Sequence, residues 1–345
     1  MLKDTPEDLG AREEEQPMAT AMTKKGWQAW TSAGLVILVG VVFVFSVFSN
    51  NLFEVGPAFE DLIDDFRPIL TDEALATAEA DVAGLGAVAT EFETAVVPGM
   101  AQALQMTPEE FGGMMQSQFP AVATGAAALP AIETQFSSVL GTLKAEQDRF
   151  ASADAIPTED LPATTVPWGL FIAGIATILV GGYMLYRIRM GSMVAIGLGV
   201  ALVVVPLLLS LVGKAADADE LNENLEPVYT QELVDGAKGA LEVVGAMGTE
   251  MQTAMLPTLA TQLQFTPDQL NAFLGENFPA TAGVLSNLDE VSGRFNGLVT
   301  TFDENLDNYE VLKPVAFTPI IWTIIIGGLA LIAFGAWGFI DSRKT

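Results

Sequence analysis

Hydrophobic positions along the chain gather into four uncharged runs of about 20 residues or more, the length that crosses ~30 Å of hydrocarbon at ~1.5 Å per helical residue. They predict membrane-spanning helices over residues 26–53, 166–186, 191–213 and 316–340. Residues 34–48 (GLVILVGVVFVFSVF) leave no polar face for water, which argues against a buried soluble core. The first run follows an acidic leader over 1–25, longer and more acidic than a signal n-region. No A-x-A-like site follows Phe48, so the run reads as a retained anchor.

Between the runs the pattern changes to steps of three and four. Leu75, Ala78, Val82, Leu85, Ala89, Phe92 and Val96 form a seam on one side of a long helix, and Leu233, Ala237, Ala240, Val244, Met247, Met251 and Ala254 form another. Thr71 and Thr230 precede these helices. Thr107-Pro-Glu-Glu110 and Thr266-Pro-Asp-Gln269 are capping boxes in which Thr caps, Pro occupies N1, and Glu110 or Gln269 reaches back. Phe119-Pro120 and Phe278-Pro279 mark breaks before a last helix, because a residue preceding proline avoids the α region. Val/Ile-rich alternation that would mark a strand is missing from the sequence.

Shifting the chain by 159 residues superposes it on itself without a gap. Glu91, Thr94, Ala95 and Pro98 fall on Glu250, Thr253, Ala254 and Pro257, and Leu104-Gln-Met-Thr-Pro108 falls on Leu263-Gln-Phe-Thr-Pro267. Phe119-Pro-Ala121 falls on Phe278-Pro-Ala280, and roughly a quarter of positions from 62 to 150 are identical. Gly40-Val41 falls on Gly199-Val200. Past Phe150 the register slips, and at 153 Gly174 and Gly182 meet Gly327 and Gly335. The predicted fold is therefore an all-α membrane protein: four transmembrane helices in two parallel span–domain–span repeats, each with an extracytoplasmic helical bundle. The bundles are expected over 54–165 and 214–315, with a cytoplasmic turn at 187–190 and a tail at 341–345. A pseudo-twofold axis would run along the membrane normal, unlike the in-plane axis of inverted-repeat transporters.

Charge fixes the expected orientation. The net charge is −28. Lys3, Arg12, Lys24, Lys25, Arg187, Arg189, Arg343 and Lys344 flank the spans on one side, while the two long loops carry net −16 and −13. The positive-inside rule then places both termini and the turn in the cytoplasm and both bundles outside. Such an external field disfavours nucleic acid and leaves room for basic partners or weak cation binding. With no cysteine, no histidine and no N-x-S/T sequon in the long loops, a prokaryotic plasma membrane fits better than a eukaryotic surface.

Candidate chemistry is sparse. Histidine and cysteine are absent, which removes the usual zinc, haem and thiolate sites, and no cofactor is expected. Asp61, Asp64 and Asp65 share a helical turn, and Asp217, Asp219, Glu220 and Glu223 occupy the equivalent region. Leu221 stands where an EF-hand would need a ligand, and no glycine follows. Neither G-x-S-x-G nor a phosphate-binding loop occurs, and the spans lack buried charge of the kind pumps use, so no enzyme activity is expected. Residues 111–132 carry no charge; Phe111, Met114, Met115 and Phe119, with Phe273, Leu274 and Phe278 in the second copy, are the candidate surface for lipid or a partner helix. Gly174, Gly182, Gly327 and Gly335 are candidate helix-packing positions.

Phe119-Pro-Ala-Val-Ala-Thr-Gly125 with Leu129-Pro130, and Pro167-Trp168 opening a span, resembles uncharacterised four-span membrane proteins of actinobacteria. The resemblance covers most of the chain and implies a duplicated helical domain but no activity. The resulting expectation is a non-enzymatic cell-envelope scaffold or accessory subunit whose paired helical domains contact other envelope membrane proteins or further copies of the chain. The alternative is a lipid- or hydrophobe-binding accessory protein using residues 111–132 and their repeat.

Overall fold

The computed structural model describes residues 16–158 and 161–343, with side chains from residue 30 onward. Lys3, Arg12 and Lys344 lie outside the described residues, as do the side chains of Lys24 and Lys25. Regular structure among the described residues is helical. The first half comprises α1 (Gln16–Ser49), α2 (Leu52–Phe66), α3 (Asp72–Glu91), α4 (Val97–Ala103), α5 (Pro108–Gln118), α6 (Pro120–Ala145), α7 (Gln147–Asp154) and α8 (Thr165–Tyr186). The second comprises α9 (Ile188–Leu208), α10 (Leu211–Leu225), α11 (Gln231–Glu250), α12 (Leu256–Leu263), α13 (Pro267–Asn277), α14 (Pro279–Ser286), α15 (Leu288–Glu304), α16 (Leu306–Leu312) and α17 (Phe317–Ser342). The chain divides into two compact units. One holds the segments up to Pro57, Ala153–Asp219 and from Val315; the other holds Ala58–Ser152 and Glu220–Pro314.

The first unit contains four helices long and apolar enough to span a membrane: Trp30–Ser49, Thr165–Tyr186, Ile188–Leu208 and Phe317–Ser342. The apolar runs expected to continue to 53 and 213 stop earlier as helix. Asn51 and Ser210, 159 residues apart, take left-handed φ of 52° and 54°, and each ends one helix and starts the next. α1 packs on α8, and α9 on α17, through glycine. A Cβ on Gly40 would lie 2.7 Å from the Gly174 carbonyl oxygen; on Gly199 it would lie 2.6 Å from that of Gly328. Gly181 sits against Ile37 and the Ala33 carbonyl as Gly335 sits against Ile196 and the Ser192 carbonyl. Positions 33, 37 and 40 thus match 192, 196 and 199 at a shift of 159, whereas 174, 178 and 181 match 328, 332 and 335 at 154. The sequence register of 153 is one residue short. Gly174, Gly327 and Gly335 do lie in helix contacts, Gly327 under the Phe43 ring, but Gly182 faces open space.

The second unit is a bundle in which residues 159 apart repeat one another's conformation. Thr71 and Thr230 cap α3 and α11, accepting from the N–H of Ala74 and Leu233 at 3.2 Å each. Both capping boxes form: the Thr107 N–H donates to Glu110 Oε2, and the Thr266 N–H to Gln269 Oε1, each at 2.9 Å. Phe119 and Phe278 break the chain with φ/ψ of −134°/60° and −135°/60°. Gln105 and Gln264 are both left-handed at φ 57°. The long helices expected from the seams carry a wide π turn, Phe92–Val96 and Met251–Met255, not visible as a break in the pattern. Its cause lies just downstream. Pro98 and Pro257 lack an N–H, and their rings would collide with the carbonyl four residues back, so the turn opens there. The seams are largely buried as read, although the second enters at Val234 and leaves Leu233 half-buried. The expected last helix is continuous in the first half (α6) but divides at Asn287 in the second, giving α14 and α15.

Candidate functional site

The two halves of the bundle share one core. The rings of Phe136 and Phe295, themselves 159 apart, meet edge-on with centroids 4.9 Å apart. α6 packs between α3 and α11, and α14 packs on α3.

Two carboxylates cross between halves to the N-termini of helices. Glu91, at the end of α3, accepts from the backbone N–H of Ala280 (3.2 Å) and Thr281 (2.7 Å) in α14. Glu250, its counterpart at the end of α11, accepts from the N–H of Val122 (2.8 Å) in α6. Phe-Pro explains why a carboxylate is needed: the phenylalanine at the cap position offers no side-chain acceptor, so the first free N–H groups of α6 and α14 need one from outside. The shift of 159 aligns Glu91 with Glu250 without giving either a role. Two charged residues retained at one register beside an uncapped Phe-Pro helix start were the available signal.

At the other end of the bundle lies a polar and aromatic cluster. Asn305 donates to Asp65 Oδ2 (2.8 Å), and Asn224 donates to Glu146 Oε1 (2.9 Å). Arg149 bridges Glu146 and Glu220, and both carboxylates hold its pKa above the usual arginine value, the Glu220 hydrogen bond most. Next to Phe295 in α15, Arg294 grips Asp81 with two bonds of 2.7 Å, which likewise raises its pKa. In the end cluster, near Asp65, Tyr229 stacks on Tyr309 at 4.5 Å and contacts Phe66 and Phe302. Burial pushes the Tyr229 phenol well above its ordinary value, and burial pushes Tyr309 up to about 12. The Tyr309 hydroxyl donates to the Asn222 carbonyl (2.7 Å), while the buried Tyr229 hydroxyl meets no hydrogen-bonding group of the protein.

This cluster sets an alkaline limit. A tyrosine whose folded pKa is raised contributes stability fully present below its unfolded pKa of about 10, lost as pH climbs through the folded value. Stability of the bundle should therefore fall above about pH 10, read as a thermal midpoint against pH. Tyr229→Phe should raise the midpoint at neutral pH, because it removes an unpaired buried hydroxyl worth about 1 kcal/mol. It should also flatten the alkaline fall. A lowered midpoint would mean the hydroxyl is satisfied in solution.

The candidate surface residues are placed differently from the expectation. Phe111, Met114, Met115 and Phe119 are buried within the bundle, as are Leu274 and Phe278; Phe273 is half-buried against Phe265 and Phe278. One face of the uncharged stretch is core, because α5 and the first turns of α6 turn their apolar side chains inward while Gln116, Gln118, Thr124 and Pro130 stay exposed. The acidic clusters are engaged in protein contacts: Asp64 with Arg67, Asp65 with Asn305, Glu220 with Arg149, and Asp219 with the N–H groups of Phe317 and Thr318 at the start of α17. Among the described residues no group of three or more carboxylates, histidines or cysteines is arranged to hold a metal ion. No protein-family model, curated protein or solved structure matches the chain.

Proposed function

We propose that this chain is a plasma-membrane scaffold or accessory subunit, non-enzymatic, that holds a rigid acidic helical body outside the cell on four spans. The span–domain–span unit would be used twice in parallel. Paired conformations support that reading: among the described residues, each left-handed residue, capping box and π turn of one half recurs in the other at 159. Orientation is supported by charge at one end of the spans. The one-residue turn between α8 and α9 is Arg187, and Arg189 and Arg343 both lie over the Phe339 ring, at 5.9 and 4.6 Å. The positive-inside rule puts that end in the cytoplasm.

The observation that carries the functional reading is the shared core with its reciprocal carboxylate caps. It joins the halves into one body, and two pockets along the seam between them, of about 20 and 30 Å³, have room for a water or two each. A lipid-handling role would need an exposed apolar groove, and of the residues expected to line one all but the half-buried Phe273 are core. The net negative exterior suits contact with basic envelope proteins.

Purification from native membranes in mild detergent should recover a reproducible stoichiometric partner. A lone monomer at every salt concentration would sink the scaffold reading. Topology is separately testable because the chain has no cysteine. Single cysteines at the exposed Ser137 and Ser286 should label in intact cells, and one replacing Arg187 only after permeabilisation. External labelling at 187 would reverse the orientation.

A further inference from the structure

Contacts between the halves of the bundle fall into two kinds. Some run in both directions, as with Glu91 on α14 and Glu250 on α6; a pairing of either half with a second copy of itself would still bring a glutamate to each Phe-Pro helix start. Others are not. Position 65 corresponds to 224, and 146 to 305, so the Asp65–Asn305 and Asn224–Glu146 bonds are one contact seen twice with acid and amide exchanged. The first half supplies both carboxylates and the second both amides. Two first halves would set Asp65 against Glu146, carboxylate on carboxylate. Two second halves would lose the Asp81–Arg294 pair, because Ala240 stands where Asp81 does, and would leave Glu220 without Arg149, whose counterpart is Asn308.

Packing repeats the asymmetry. Met247 lies over Gly125, where a Cβ would come within 2.6 Å of its Cβ and sulfur. The equivalent positions are Val88 and Val284, which line one small cavity. A large residue faces none on one side, and two of middle size border the same small pocket on the other. First-half self-pairing would oppose Val88 to Gly125 and leave a hole; second-half self-pairing would drive Met247 into Val284.

We propose that this interface is partner-selective: each half accepts the other half of the same chain and rejects a second copy of itself. The symmetric contacts set the geometry and the exchanged ones set the partner. Coulomb repulsion and overpacking act together, the usual means by which specificity is built against a near-identical competitor. In a membrane holding many copies, the chain would then close on itself, with like halves of neighbouring chains excluded from this surface. The proposal rests on the paired-half reading but not on the existence of an envelope partner.

Two exchanges in the full chain test it, each making one half resemble the other. Asn305→Glu installs the residue found at 146, a site that already buries glutamate to 6% exposure, and sets it against Asp65. Gly125→Val installs the residue found at 284 under Met247. Each should lower the thermal midpoint of the purified protein by roughly 5–10 °C. Asp65→Asn added to the first, and Met247→Val added to the second, should each recover at least half of the fall. If a single variant does not fold, folding of its double counts as the recovery. Harmless singles, or doubles no better than singles, would overturn the proposal. Because the cycles use the isolated chain, a failed search for an envelope partner leaves their outcome untouched.

Discussion

Glu91→Ala should cost the helical bundle about 2–3 kcal/mol, and Glu250→Ala about 1–2 kcal/mol, in denaturant or thermal unfolding. Glu91 accepts two N–H groups at the start of α14, and Glu250 accepts one at the start of α6. A hydrogen bond to an ionised group contributes more than a neutral one, and here the charge also faces the positive end of a helix dipole. Removing the carboxylate leaves those donors half-buried, with Phe278 or Phe119 at the cap offering no side-chain substitute. Gln should rescue part of the loss at both sites, since its amide oxygen still accepts but carries no charge. The two sites join the same pair of halves. The double alanine variant should therefore depart from additivity, losing less than the sum once the interface has loosened. Equal effects at 91 and 250, or full rescue by Gln, would mean that the charge and the second N–H contribute little.

How much of this was legible in the sequence depended on whether the signal was local. Thr107-Pro-Glu-Glu110 announces its capping box because every atom of the motif lies within one turn, and Glu110 reaches back as read. The spans announce themselves by length and apolarity. The π turns are hidden because Pro98 stands out in the sequence as part of a repeat before it does as a missing N–H. Residues 111–132 are ambiguous because absence of charge marks a core helix and a docking groove equally. Burial of Phe111 and Met115 depends on what α3 and its continuation place opposite, which no single segment encodes. The contacts between halves were hidden for a subtler reason. Aligning the copies searches for identity, whereas the interface is built from differences: Asp65 against Asn224, Glu146 against Asn305, Gly125 against Val284. Within each half the same holds for an ion pair. Glu79–Lys144 becomes Lys238–Asp303, with the signs exchanged at matching positions. A search for compensated differences at a shift of 159 would have found it.

Substitution in the spans should have the largest effect and also decides the register. Gly40→Leu and Gly199→Leu should each destabilise the membrane unit by about 3 kcal/mol or more, measured as thermal stability and folded yield in detergent. At both positions a first side-chain carbon already falls within 3 Å of a backbone oxygen and a backbone nitrogen on the facing helix, so nothing soft is present to yield. The helices must separate, and in a bilayer they lose the van der Waals contact that holds them without a hydrophobic force to replace it. The two losses should be similar, because Gly174 and Ile178 face Gly40 as Gly328 and Ile332 face Gly199. Gly182→Leu should be close to neutral, since that position opens away from its neighbours, while Gly181→Leu should behave like Gly40→Leu. A register of 153 assigns the interface to Gly182; one of 154 assigns it to Gly181. The two leucine variants, one residue apart, therefore give opposite results under the two registers.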